Sequence, residues 1–135
     1  MFSGTIPAII TPFRRVGETT EVDFDSLSEL VEWHISCGVS GIVACGTTAE
    51  SATLSIKEQD DVLSCIVKKV AGRVPVIMGT GTNATAHSIA RTKNSADMGA
   101  DAALVVVPYY NKPTQEGLYQ HFKAIADSSP IPLVL

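Results

Sequence analysis

Five short runs of apolar residues recur along the chain, and a polar or glycine-containing loop follows each of the first four. The runs span residues 6–10, 41–45, 75–78, 102–107 and 130–135. Each run is continuously apolar, which is typical of strands buried on both faces and therefore of parallel strands. They begin roughly every 30 residues, the spacing of βα units, so the pattern predicts four βα units and a fifth strand.

Helical periodicity fills the gaps between these runs. We expect the first helix to begin at Asp23 or Asp25, where a carboxylate can cap free amides, and to end before Gly38. Ser55 and Glu58 form a capping-box pattern at the start of the second helix.

The third and fourth helices are predicted from weaker patterns. Asn83 or Thr85 is expected to cap the third helix, and Thr114 stands at the start of the fourth. The expected apolar faces consist of Ala86, Ile89 and Ala90 in the third helix and of Leu118, Phe122 and Ile125 in the fourth.

Two α/β architectures fit this order of elements. A closed (β/α)8 barrel, or TIM barrel, needs about 250 residues, so 135 residues would supply about half of one. An open doubly wound sheet could be complete with five parallel strands. The periodicity alone favours neither architecture.

The composition excludes several classes of protein. The 135 residues suffice for one domain, and a content of 45% hydrophobic against 18% charged residues is too apolar for a disordered chain. The net charge is −4 and no basic stripe is visible, so no nucleic-acid partner is expected. The longest apolar run is too short to span a bilayer, and the first residues do not resemble a signal peptide, so no membrane association is expected.

The cysteines and histidines argue against disulfides and metals. The three cysteines are Cys37, Cys45 and Cys65. Their odd number and the lack of a Cys-x-x-Cys pair make a disulfide framework improbable, so we expect buried or half-buried thiols in a cytoplasmic protein. The three histidines share no spacing typical of metal ligands, and no metal site is expected.

Candidate chemistry lies in the loops, because both architectures bind ligands beyond the carboxyl ends of the strands. The loop after the second run carries Thr47 and Thr48, whose hydroxyls and neighbouring amides can hold a small carboxylate or phosphate. The loop after the fourth run carries Tyr109 and Tyr110, and a phenol there can relay a proton or pack at an interface. Both loops also have a purely structural interpretation, since the hydroxyls can cap their own turn and the tyrosines can anchor theirs.

Three further features point less clearly to a function. Gly79 and Gly81 match a loose dinucleotide fingerprint, but no acidic residue ends the next strand, so we expect them only to turn the chain. His87 could touch a ligand near Gly81, although such a residue more often faces solvent. Asp60 is expected on a solvated first helical turn.

Four stretches, spread from one end of the chain to the other, resemble one known family. They are residues 4–12 (GTIPAIITP), 46–54 (GTTAESATL), 74–85 (VPVIMGTGTNAT) and 108–126 (PYYNKPTQEGLYQHFKAIA). All four are similar to the dihydrodipicolinate synthases, which belong to the N-acetylneuraminate lyase family of pyruvate-dependent class I aldolases. The resemblance implies a (β/α)8 barrel, of which residues 1–135 would form the N-terminal half.

The resemblance also implies a chemistry without metal or cofactor. In this family a lysine forms a Schiff base with pyruvate, and the resulting enamine attacks L-aspartate 4-semialdehyde on the route to diaminopimelate and lysine. The iminium withdraws electrons, so the pyruvate methyl group becomes acidic enough to lose a proton. The implied enzyme is a cytoplasmic carbon-oxygen lyase with pyruvate and aspartate semialdehyde as its small-molecule partners.

The matching motifs imply roles for individual residues. Thr47 resembles the catalytic threonine of a proton relay, and Thr48 resembles the residue that binds the pyruvate carboxylate beside it. Tyr110 resembles the catalytic tyrosine that completes the relay from a neighbouring subunit, and Tyr109 would lie near that interface. The implied assembly is a homotetramer built as a dimer of dimers.

Two departures from the family pattern concern single positions. The family has glycine where this chain has Ala49, and a backbone angle that requires glycine would be strained there. The possible allosteric lysine site consists of Ser51, Ala52, Asn83, His87 and Tyr109. Regulated members usually carry an acid where this chain has His87 and a histidine where it has Gln59. Loss of the acid removes a partner for the ligand ammonium, so we expect weak or absent inhibition by lysine.

The third departure concerns the reactive lysine. The family's strand-five tyrosine and Schiff-base lysine would follow Leu135, and Lys112 is a poor replacement because an exposed ammonium is a weak nucleophile at neutral pH. We therefore expect the isolated chain to be inactive. The alternatives are an inactive half-barrel that acts only through self-association, and another pyruvate-dependent aldolase or lyase.

Overall fold

A computed structural model describes residues 2–135. In chain order the elements are β1 (Phe13–Val16), β2 (Thr19–Val22), α1 (Phe24–Ser36), β3 (Ile42–Ala44), α2 (Ile56–Val70), β4 (Val76–Gly79), α3 (Thr85–Asp97), β5 (Ala102–Leu104), α4 (Gln115–Ser128) and β6 (Leu133–Val134). The main sheet is parallel and has the order β3-β4-β5-β6, so each strand pairs with the next one along the chain. This arrangement confirms the predicted succession of βα units.

The predicted first strand is reduced to a single bridge at the other edge of β3. Ala8 pairs there with Val43 in parallel orientation. The amide of Ile9 donates to the Val43 carbonyl at 3.2 Å, and the amide of Val43 donates to the Pro7 carbonyl at 2.8 Å. Pro7 has no N–H to donate, which keeps this ladder short.

The two faces of the sheet have different surroundings. One face packs on the helices through alternate strand residues that include Ile42, Val76 and Ala103. The residues between them, such as Val43 and Ile77, point to the opposite face. There they cluster with Phe2, Ile6, Ala102 and Leu104, and no helix takes part in this cluster. A doubly wound sheet has helices on both faces, whereas a barrel has them on one, so the packing favours the half-barrel.

The second face forms an open apolar groove of about 620 Å³. Its lining residues are Phe2, Ile6, Val43, Ile77, Leu104, Pro132, Leu133 and Val134. In a closed barrel the corresponding side chains fill the interior.

The predicted helix caps are confirmed for three helices. The Asp23 carboxylate accepts a hydrogen bond from the Ser26 amide at 3.1 Å at the start of α1. Ser55 and Glu58 form the reciprocal capping box of α2, with bonds of 2.8 and 3.2 Å. At the start of α4 the Thr114 hydroxyl accepts from the Gly117 amide at 3.1 Å.

The predictions for α3 are wrong in two respects. Its cap residue is Ala84, which has no side-chain oxygen, rather than Asn83 or Thr85; the Thr82 hydroxyl instead accepts from the Ala84 amide at 3.1 Å. Of its predicted apolar face, Ile89 is half-buried and packs against the core, but Ala86 and Ala90 are exposed and the fully buried residues are polar. The buried residues of α3 are Ser88, Arg91, Thr92 and Ser95.

Two other elements differ from the sequence analysis. The antiparallel hairpin of β1 and β2 was not predicted; its sequence carries no continuous apolar run, and Gly17 makes the turn at a φ of +61°. Strand β5 ends at Leu104, and the following Val106 and Val107 are exposed rather than buried in a strand.

The thiols match their expected environment at two of three positions. Cys45 is buried and Cys65 half-buried, but Cys37 is exposed because it lies at the C-terminal cap of α1. From residue 2 to residue 135, no helix has the length and apolarity needed to cross a membrane.

Candidate active site

A cleft of about 640 Å³ lies at the carboxyl ends of β3, β4 and β5. Parallel strands bring the three following loops to one edge of the sheet, and all three loops contribute to the cleft. Thr47, Ser51, Ala52 and Tyr109 are among its lining residues. The structure therefore brings four of the predicted site residues to one cavity.

The loop after β3 consists of two 3₁₀ turns, Thr47–Ala49 and Ser51–Thr53, joined at Glu50. Thr47 and Thr48 are both exposed on the first turn, and Thr47 lines the cleft whereas Thr48 does not. The left-handed residues of this segment are Cys45 and Glu50, with φ of 50° and 56°. Ala49 is not left-handed, so the expectation of a strained backbone there is wrong.

The two glycines after β4 permit close packing of neighbouring backbones. A Cβ atom on Gly79 would lie 2.2 Å from the Cys45 carbonyl oxygen. A Cβ atom on Gly81 would lie 2.4 Å from the Val106 amide nitrogen. Since the neighbouring chain fills this space, the glycines serve the approach of adjacent loops, and no dinucleotide is needed to explain them.

The loop after β5 carries the tyrosine pair. Tyr109 is 51% exposed and faces the cleft, whereas Tyr110 is 94% exposed, has a φ of 72° and does not line the cleft. The side-chain amide of Asn111 donates to the Asn83 carbonyl at 3.2 Å, which joins this loop to the loop after β4. His87 is exposed on the first turn of α3 and lies outside the cleft lining, as does Asn83.

The rear wall contains a partly buried ion pair that the sequence analysis missed. Arg91 is only 7% exposed, and its guanidinium donates to the Asp60 carboxylate at 2.7 Å and to Gln59 Oε1 at 3.2 Å. Asp60 was predicted to be a solvated residue; it is instead half-buried, with 29% of its side chain exposed, because the buried guanidinium of Arg91 needs a charged partner. The buried stripe of α3 is polar, so hydrophobic periodicity carried no signal for it.

Burial shifts the pKa of two side chains, Cys45 and His121, and only Cys45 lines the cleft. Burial raises the pKa of the Cys45 thiol to about 12, so the thiolate is not formed near neutral pH. Burial also lowers the pKa of His121, whose Nδ1 lies 2.8 Å from the Thr85 hydroxyl and links α4 to the start of α3. No cluster of three or more His, Cys, Asp and Glu side chains suited to a metal ion occurs in residues 2–135.

The cleft at the strand ends is lined by hydroxyl groups, among them that of Thr47. Such groups bind an oxyanion or pass a proton between a ligand and solvent. The chemistry that they support is therefore polar, and a small acid is a fitting ligand.

Comparisons with known proteins connect this site to one family. The family model for the dihydrodipicolinate synthetase family matches residues 1–135. The 4-hydroxy-tetrahydrodipicolinate synthase of Pseudomonas putida (strain W619) is 53% identical over 135 residues, which is 100% of this chain and 45% of that protein.

Solved structures agree with the sequence match. The chloride-inhibited dihydrodipicolinate synthase from Acinetobacter baumannii complexed with pyruvate has a TM-score of 0.94 and 53% identity over 98% of this chain and 45% of its own. The lysine-bound enzyme from Cyanidioschyzon merolae has a TM-score of 0.91 and 42% identity over 98% of this chain and 44% of its own. The chain spans about half the length of the curated relatives that it matches, and its sheet corresponds to the first part of their TIM barrel. The chain belongs to the dihydrodipicolinate synthetase family.

Proposed function

We propose that residues 1–135 form the N-terminal half of the barrel domain of a 4-hydroxy-tetrahydrodipicolinate synthase. The observation that carries this proposal is the shared cleft of Thr47 and Tyr109 at the carboxyl ends of parallel strands. It is supported by 53% identity, along the whole chain, to a relative of that name. The substrates are pyruvate, held as a lysine Schiff base, and L-aspartate 4-semialdehyde.

The chain contributes the acid-binding and proton-transfer groups of this reaction. The carboxylate of pyruvate would accept hydrogen bonds from the hydroxyl of Thr47, which lines the cleft, and from that of Thr48, the next residue of the same exposed turn. This leaves the keto carbon open to a lysine amine. Thr47 then passes a proton between the Schiff base and Tyr110 of a neighbouring subunit. The lysine itself is supplied by the other half of the barrel, because none of the lysines of this chain faces the cleft.

The two exposed surfaces of the chain fit larger assemblies. The open apolar groove on the sheet is the face that the other half of the barrel would cover. Tyr110, at 94% exposure, is suited to reach the active site of a second subunit in a homotetramer. The free thiols fit the reducing cytoplasm, which we propose as the compartment.

A chimera tests the proposal. The chain is joined to the portion of the Pseudomonas putida synthase that follows the position of Leu135. The chain and the chimera are each treated with pyruvate and borohydride, and their masses are measured by mass spectrometry. We expect a stable mass increase only in the chimera, together with condensation of pyruvate and aspartate semialdehyde. A mass increase in the chain alone would place the reactive amine within residues 1–135 and contradict this division of roles.

Matched variants of the chimera test the individual residues. Thr47→Val and Tyr110→Phe should each lower kcat about 100-fold or more, the usual contribution of general acid-base groups. Thr20→Val in the exposed hairpin and Tyr119→Phe on the surface of α4 make the same chemical changes away from the cleft and should have no effect. Equal activity of Thr47→Val and Thr20→Val in a working chimera would remove Thr47 from the mechanism.

A further inference from the structure

Every polar atom of the Gln59 side chain is engaged within the protein. Its Nε2 donates to the Ser51 carbonyl at 3.0 Å and to the Leu54 carbonyl at 3.2 Å. Its Oε1 accepts from Arg91 at 3.2 Å. A primary amide has two N–H groups to donate, and both are used on the loop that forms one wall of the cleft.

Arg91 determines which way this amide points. A guanidinium only donates, so the atom of Gln59 that faces it must be the oxygen, and the two N–H groups then face the loop. Arg91 is itself fixed by Asp60, whose Oδ1 also accepts from Asn94 at 3.1 Å. The orientation of the Gln59 amide is thus set by a partly buried network between α2 and α3.

The segment that receives these hydrogen bonds has few bonds of its own. The turn Ser51–Thr53 has exposed side chains at Ala52 and Thr53. The amide and the hydroxyl of Thr53 both donate to the Glu50 carbonyl at 2.9 Å, and the Leu54 amide donates to the Ser51 carbonyl at 3.3 Å. It follows directly on the turn that carries Thr47. Because the two turns are joined at Glu50, we expect a shift of the second turn to be passed on to the first.

We propose that Gln59, oriented by Arg91, is a positioning residue that holds the Ser51–Thr53 turn against α2. By holding this turn, it keeps the Thr47 hydroxyl at the position in the cleft where it can donate to the ligand carboxylate. This inference rests on the proposed function, because pyruvate is the ligand in question. Gln59 also lines the cleft, but its polar atoms are all used within the protein, so its role is exerted through the loop.

Two substitutions separate positioning from simple stability. Gln59→Glu keeps the contact with Arg91, and adds charge to it, but a carboxylate cannot donate to the Ser51 and Leu54 carbonyls. Arg91→Lys keeps a cation for Asp60 but lacks the second nitrogen that reaches Gln59. Gln115→Glu, in the exposed first turn of α4, is the control for the change from amide to carboxylate.

The experiment measures amide hydrogen exchange and pyruvate binding by NMR in the 135-residue chain, and in the chimera described above if the chain alone does not fold. In Gln59→Glu we expect the amides of Thr53 and Leu54 to exchange about tenfold faster, while those of Val62 and Thr92 in the flanking helices keep their rates. Pyruvate, followed at the Thr48 amide, should bind about tenfold more weakly. Arg91→Lys should likewise speed exchange in the turn and weaken pyruvate binding, and Gln115→Glu should change neither the exchange rates nor the affinity.

Three results would overturn the inference. Unchanged exchange at Thr53 and Leu54 in Gln59→Glu would show that the amide does not hold the turn. Faster exchange throughout α2 and α3 would show a general structural role. Faster exchange in the turn with unchanged pyruvate affinity would show that the turn does not position Thr47. If pyruvate binds to neither the original nor the variant protein, the proposed function fails, and the positioning of Thr47 for pyruvate fails with it, whereas the exchange rates still show whether Gln59 holds the turn.

Discussion

The hydroxyl of Thr11 donates a hydrogen bond of 2.9 Å to the carbonyl oxygen of Ala49, across 38 residues of sequence. Thr11 is 3% exposed and Ala49 is 1% exposed, so water does not compete for this contact. The bond joins the segment at the edge of the sheet to the turn that carries Thr47 and Thr48. The buried hydroxyl of Thr11 thus supports the turn that presents the hydroxyls of Thr47 and Thr48 to solvent.

Replacement of Thr11 by valine should destabilise the protein. Valine has nearly the shape of threonine but cannot donate, and the buried Ala49 carbonyl would lose its side-chain donor. We expect the free energy of unfolding to fall by about 1–2 kcal/mol, measured by urea denaturation. Thr11→Ser retains the hydroxyl and should recover most of the loss. A valine variant as stable as the original protein would show that the bond contributes no net stability.

Substitution of Ala49 by glycine should also lower stability. Ala49 lies in a 3₁₀ turn outside the left-handed region, so glycine relieves no strain and only adds conformational freedom to the unfolded chain. We expect a loss of about 0.5–1 kcal/mol in urea denaturation. Ala52→Gly in the neighbouring turn, which is more exposed, provides the comparison. A gain in stability for Ala49→Gly would show that the alanine is strained after all.

Weak or absent binding of free lysine is the third prediction. Ser51, Ala52 and Tyr109 line the cleft, but His87 lies outside it and offers no carboxylate to an ammonium group. Gln59 has no polar atom to spare for a ligand. Isothermal titration calorimetry with lysine should therefore show no heat at micromolar concentrations, and a micromolar Kd would contradict the prediction.

Local chemistry explains which parts of the fold the sequence predicted. A capping box such as Ser55 with Glu58 depends on residues only three positions apart. A buried parallel strand is indicated by a run of apolar residues. The same method failed for helix α3, because its buried face is polar. Ser88 and Ser95 bond to backbone groups, and Arg91 bonds to Asp60 and Gln59 of α2. A hydrophobic pattern cannot reveal a buried face of that kind.

The candidate site was predicted to the extent that topology determines it. Parallel strands end at one edge, so Thr47 and Tyr109 could be expected in one cleft from their places after two strands. Gln59 and Arg91 lie on different helices and are 32 positions apart in sequence, so neither spacing nor periodicity indicates their contact. The backbone angle at Ala49 likewise depends on the turn that its neighbours adopt.

The three thiols should differ in reactivity. Cys37 is exposed and should react with a thiol reagent such as Ellman's reagent in the native protein. Cys45 is buried with its pKa raised to about 12 and should react only after unfolding, with the half-buried Cys65 between the two. Cys37→Ser should remove the fast phase. Rapid labelling of Cys45 without denaturant, located by mass spectrometry, would show that the rear of the cleft opens readily.

Stability should depend on pH through Glu32 in the acid range. Two hydrogen bonds from Arg73, of 2.8 and 2.9 Å, and a contact with Lys69 lower the pKa of Glu32 from an ordinary value of 4.5 to about 2. A carboxyl group whose pKa is depressed by folding contributes stability that is complete above pH 4.5 and is lost as the pH falls towards 2.

Carboxyl NMR and urea denaturation between pH 6 and pH 2 check this prediction in the original protein and in Arg73→Met. The substitution should raise the pKa of Glu32 part of the way towards its ordinary value, since Lys69 remains, and should make stability less sensitive to acid. Arg15→Met removes an arginine from the exposed hairpin and should leave the Glu32 titration where it was. The same Glu32 pKa in all three proteins would show that solvent screens the Arg73 pair completely.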